Sequence, residues 1–91
     1  MQNKVTIIYC TQCRWLLRSS WIAQELLTTF QDEIIALTLQ PSTGGVFEIY
    51  VNENLLWSRR EKGGFPEIKL LKQLVRDHIA PEKSLGHTDK K

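Results

Sequence analysis

Between Arg14 and Phe30 the chain runs without a glycine or proline. Two β-rich apolar runs flank that stretch, Val5-Thr6-Ile7-Ile8-Tyr9 before it and Glu33-Ile34-Ile35-Ala36-Leu37-Thr38-Leu39-Gln40 after it. Within it Leu16, Ala23, Leu27 and Phe30 recur on one face, with Trp15, Ile22 and Leu26 beside them, which predicts an amphipathic helix. Strand, helix and strand in so short a span constrain the fold to two parallel strands joined by a right-handed crossover. The first run is almost continuously apolar, so burial on both of its faces is expected.

The rest of the chain adds a hairpin and a second helix. Pro41-Ser42-Thr43-Gly44-Gly45 is a turn cluster, and Val46 to Val51 has strong β-propensity. Asn52-Glu53-Asn54 then turns the chain into a return strand, Leu55 to Arg59. After Gly63-Gly64, Pro66 suits the first position of a helix lined by Ile68, Leu71, Leu74 or Val75, and Ile79, ending before Pro81. The order β-α-β-β-β-α gives an α/β chain built as a two-layer α+β sandwich, a mixed four-stranded sheet with both helices on one face. Residues 1–80 form the domain, and 81–91 are polar and patternless, expected to be a disordered tail. The sheet face without helices is expected to expose Phe47, Ile49, Trp57 or their neighbours, an apolar patch open to a partner or to a second copy as a homodimer.

Ninety-one residues with 42% apolar and 24% charged side chains describe one globular domain. A net charge of +2 without a basic run interleaved with aromatics gives no reason to expect nucleic acid. The densest charge cluster, Arg59-Arg60-Glu61-Lys62, reads as a solvated loop. The apolar run after Lys4 is too short for a signal-peptide core or a membrane span, so a cytoplasmic location and no membrane partner are expected.

The two cysteines of the chain, Cys10 and Cys13, stand three apart where the first strand hands over to the helix. In a reducing compartment such a pair is seldom a staple, since closing so small a loop contributes about 2 kcal/mol at best. A thiolate at a helix N-terminus is stabilised by unpaired N–H groups and the helix dipole. Arg14 and Arg18 add positive charge, as thiolate-stabilising groups or as binders of a substrate anion, and no acid lies between Ile8 and Gln24. Zinc needs four ligands, and His78 and His87 stand at no common zinc spacing from the pair, so no metal is expected. His78 suits a helix C-terminus. Trp15 and Trp21 are six apart and cannot share one helix face; Trp15 borders the cysteines. The paired glycines lack phosphate-loop spacing. A redox site at Cys10 and Cys13 follows.

Tyr9-Cys10-Thr11-Gln12-Cys13, Thr43-Gly44-Gly45-Val46-Phe47-Glu48-Ile49, Trp57-Ser58-Arg59-Arg60 and Gly63-Gly64-Phe65-Pro66 together resemble the selenoprotein W (Rdx) family, with cysteine in place of selenocysteine. The likeness spans about residues 4 to 80. It implies a minimal thioredoxin-like fold and a thiol-based redox role, as an oxidoreductase or antioxidant factor or as a redox-gated interaction module. It also implies work with glutathione or protein thiols, with no bound cofactor. In that family the redox-active position corresponds to Cys13, with Cys10 as its partner, whereas the thioredoxin assignment makes Cys10 the attacking thiol. Trp15, Thr43, Gly44, Gly45 and Phe65 are expected at the rim of the site. Thioredoxins place a cis-proline just before the third strand; here Thr43-Gly44-Gly45 stands at that point, so the resemblance does not extend to their peptide clamp.

Overall fold

The computed structural model describes residues 2–86. Its elements are β1 (Asn3–Cys10), α1 (Leu16–Thr29), β2 (Ile34–Ser42), β3 (Phe47–Val51), β4 (Asn54–Ser58), α2 (Arg59–Lys62) and α3 (Ile68–Ile79). The sheet runs β2-β1-β3-β4. β1 is parallel to β2 and antiparallel to β3, and β4 returns antiparallel along β3. The expected two-layer α+β architecture is therefore present, with one additional short helix.

Register explains where the core sits. Ile7 lies opposite Leu39 on one side and Ile49 on the other, and Ile49 lies opposite Trp57, so one row crosses the whole sheet. Val5 and Tyr9 make parallel rows with Val51 and Phe47. Ile22, Ala23 and Leu26 from α1, Phe30 at its C-cap, and Leu71 and Val75 from α3 close over that face in a single core. Both long helices thus cover the same side.

Phe47, Ile49 and Trp57 belong to this covered face and are buried, which corrects their expected place on the open side. The open face carries Thr6, Ile8, Thr38, Gln40, Glu48 and Tyr50 in the intervening register. β1 accordingly alternates between buried and half-buried residues rather than being buried on both faces. A strand wholly enclosed needs helices on both sides, and the connections here supply only one layer.

Several element boundaries, and the face that α1 buries, differ from the sequence expectation. Pro41 lies within β2, which tolerates it because β2 is an edge strand with one row of backbone groups unpaired. Arg59 opens α2 instead of ending β4: the Ser58 hydroxyl accepts from the Glu61 N–H at 3.4 Å, and Gly63, at φ 77°, stops the helix by donating to the Arg59 carbonyl at 2.8 Å. Pro66 precedes α3, whose N-cap is Glu67. On α1 the apolar face centres on Ile22, Ala23 and Leu26, so Leu16 and Leu27 are exposed. Of the segment assigned to the tail, Lys83 receives Arg76 Nη1 on its carbonyl at 2.8 Å and pairs with Glu33 at 3.2 Å. Leu85 packs against the core, and residues 87–91 lie outside the described residues.

On the open face the Tyr50 hydroxyl donates to Glu48 Oε1 at 3.1 Å. That hydrogen bond to a carboxylate raises the tyrosine pKa above 10.0, helped by desolvation and by the charges of Glu48 and Glu61. The folded state therefore holds this proton more tightly than the unfolded chain, a contribution present below pH 10 and lost as pH rises through the folded pKa. Tyr50→Phe is expected to lose less stability than the parent between neutral and strongly alkaline pH in paired denaturation curves. Ile7→Val, which removes one methylene from the central row, is expected to lower stability by about 1 kcal/mol in urea with an unchanged slope.

Candidate redox site at the end of β1

Cys10 is the last residue of β1, a strand hydrogen-bonded on both sides, and it is 1% exposed. The next residues leave the sheet but remain tied to it. Thr11 donates its N–H to the Ser42 carbonyl at 3.0 Å and its hydroxyl to the same oxygen at 3.2 Å. The turn closes through Arg14 N–H to the Thr11 carbonyl at 3.0 Å and Trp15 N–H to the Cys10 carbonyl at 3.4 Å. Arg14 adopts φ 60°, the left-handed region that a residue bearing a Cβ enters at a cost of about 1–2 kcal/mol. This reversal delivers the chain into α1.

The turn sets the two sulfurs together. Cys10 and Cys13 form a disulfide with Cα atoms 5.3 Å apart, within the ordinary range for such a bond. The Cys13 N–H points at Cys10 Sγ at 3.3 Å. Cys13 is half-buried, so the two members differ sharply in access. The pair does not open the helix, as expected from sequence, but precedes it, because the left-handed Arg14 has to turn the chain first. α1 starts at Leu16 with no side-chain cap and no acid in its first turn.

Loops from the far end of the chain complete the surroundings. Phe65 packs edge-on against Trp15 and against Phe47, with ring centroids 4.9 Å apart in both pairs. The Arg18 guanidinium lies over the Phe65 ring at 4.2 Å, and that of Arg59 lies over Trp15 at 4.9 Å and Phe65 at 5.5 Å. Trp15 therefore both packs against the core and borders the cysteine turn, while Trp21 is exposed. Arg14 is exposed on the turn itself.

Thr43, Gly44 and Gly45 follow directly from Ser42 and line a cleft of about 260 Å³ with Phe47, Glu48 and Arg60. Gly44 and Gly45 have φ of 77° and 75°, and Arg60 Nη2 reaches the Gly44 carbonyl at 3.5 Å. No cis peptide bond occurs among the described residues.

Arg59 escaped the sequence reading. Its guanidinium joins the aromatic cluster, and its Nε is buried without a hydrogen-bond partner. The available signal was Ser58-Arg59-Arg60-Glu61, the S-x-x-E spacing of a helix start, inside what was read as a solvated loop. Among the described residues no group of three or more His, Cys, Asp or Glu is arranged to hold a metal. The His78 ring meets the Asn54 side chain at 3.3 Å, and His87 lies outside the described residues. Among those residues no helix is long and apolar enough to cross a membrane.

A mixed sheet with helices on one face and a cystine turn closing its first strand defines a thioredoxin-like α+β fold of redox type. The chain belongs to the Rdx family, whose model matches residues 4–77. It is similar to the crystal structure of a selenoprotein W-related protein from Vibrio cholerae, with a TM-score of 0.84 and 52% identity over 86% of this chain and 98% of that one. A crystal structure of a protein from Bordetella parapertussis gives 0.83 and 56%, over 85% and 98% of the two chains. No curated protein matches by sequence.

Because Arg14 is held left-handed, Arg14→Gly is expected to fold at least as stably as the parent. Arg14→Val is expected to be about 1–2 kcal/mol less stable than Arg14→Gly by chemical denaturation.

Proposed function

We propose that this chain is a thiol-disulfide redox protein in which Cys13 is the attacking thiol and Cys10 resolves. The observation that carries the reading is the difference in access: Cys10 is 1% exposed at the strand end, whereas Cys13 is only half-buried. The Cys13 thiolate attacks one sulfur of a substrate disulfide, the substrate S–S bond breaks, and one substrate thiol leaves after taking a proton from solvent. The Cys10 thiolate then attacks Cys13 Sγ and releases the second substrate thiol. The protein has lost two electrons and the substrate has gained two.

The Cys13 N–H directed at Cys10 Sγ supports Cys10 as resolving thiolate, since that donor favours negative charge on the buried sulfur. Two glutathione thiols return the pair to the dithiol and leave as glutathione disulfide, so the cycle fits a reducing compartment such as the cytoplasm and needs no bound cofactor. The substrate is a protein disulfide or the mixed disulfide of a protein thiol with glutathione. Leu17, highly exposed one turn beyond the pair, favours a second reading in which the thiol state gates a partner contact with little turnover.

Alkylation of single-cysteine variants tests the assignment. Cys13 in Cys10→Ser is expected to react at least about tenfold faster with iodoacetamide than Cys10 in Cys13→Ser. Equal rates, or a faster Cys10, would reverse the two roles. Steady-state reduction of hydroxyethyl disulfide by glutathione, read as glutathione disulfide formed above the uncatalysed rate with catalytic amounts of the parent, separates the cycle from the gated module, which reaches a single oxidation and stops.

A further inference from the structure

The first half of α1 exposes more apolar surface than a lone helix needs. Leu16, Leu17 and Trp21 are 48%, 83% and 49% exposed. Leu17 and Trp21 stand one turn apart on the side opposite Ile22 and Leu26, so they form a ridge that starts beside the cysteine turn. Isolated apolar residues on a surface mean little, but a contiguous group against a reactive pair marks a contact site.

Charge says what kind of partner fits. Arg14, Arg18 and Arg59 surround the turn, and the two that pack do so on aromatic faces rather than carboxylates. α1 has no acid before Glu25, which is already paired with Lys72 at 2.8 Å. Glu48 and Glu61 act on Tyr50, toward the open sheet face, and Glu67 begins α3 beyond Phe65. A second copy is a poor occupant, because a two-fold axis here sets Arg14 and Arg18 near their own equivalents.

We infer that the ridge of Leu17 and Trp21, with Arg14 and Arg18, docks an acidic protein segment bearing an apolar residue beside its cysteine. The inference rests on the thiol-disulfide reading of Cys13 and names its substrate class. The apolar residue lies against Leu17 and Trp21, the carboxylates meet the two arginines, and the partner's sulfur is presented to Cys13.

Two seven-residue peptides test this, each with a central cysteine held as a mixed disulfide with 2-mercaptoethanol and flanked by leucine and phenylalanine. One is terminated by glutamates and the other by lysines. The reduced full chain is expected to react with the acidic peptide at least about tenfold faster in dilute buffer, with most of that gap lost at ~0.5 M salt. Arg14→Glu with Arg18→Glu reverses the preference, and Leu17→Ser with Trp21→Ser slows both peptides severalfold. Equal rates, or a faster lysine peptide, overturn the inference. Failure of the thiol cycle itself appears instead as no reaction with either peptide or with glutathione disulfide. The surface is then read without chemistry, by NMR titration with the acidic peptide carrying serine for cysteine. Shifts of the amides of residues 14–21 that fade with salt support it, and none up to about 1 mM peptide overturns it.

Discussion

The placement of β1 governs the rest of the molecule. It is hydrogen-bonded to β2 on one side and β3 on the other, so its backbone needs no water and its last residue can be buried. That is why Cys10 is inaccessible. The chain leaves the sheet immediately afterwards, and the neighbouring edge strand holds the exit: the Ser42 carbonyl takes both the N–H and the hydroxyl of Thr11. Cys13 is carried outward by the same turn. The unequal access of the two sulfurs is thus a consequence of strand order, with the left-handed Arg14 as its local cost.

A second constraint comes from the cluster of Trp15, Phe65 and Phe47. It ties the start of α1 to the loop before α3 and to β3, elements far apart in sequence. Arg18 and Arg59 lie over its rings, contacts worth about 0.5–1 kcal/mol each at partly exposed sites. Stacked on rings, these guanidinium groups keep their charge, where pairing with carboxylates would cancel it. Positive charge therefore persists beside the cystine turn.

Much of this was legible beforehand because the relevant signals are local. The alternation in the strands, the glycine- and proline-free helix and the Cys-x-x-Cys spacing specify the element order and the position of the redox pair. Side-chain faces were harder. Phe47, Ile49 and Trp57 are apolar whichever side they occupy, and only the register with Val5, Ile7 and Tyr9 places them beneath the helices. Leu16 and Leu27 fit an apolar face by spacing, yet α1 is rotated so that Ile22 and Leu26 meet the sheet. The helix start also misled, since nothing short of the backbone conformation at Arg14 shows that the cysteines precede α1.

The sequence alone determined the α+β architecture, the family likeness and the chemistry available at Cys10 and Cys13. These depend on residue type and on spacing within a few turns of chain. Tertiary structure decided which cysteine is the more accessible, that Arg59 joins the site, and that Leu17 and Trp21 remain uncovered. Each of those depends on contacts between residues distant in sequence, where the burial of one side chain is set by another element's position.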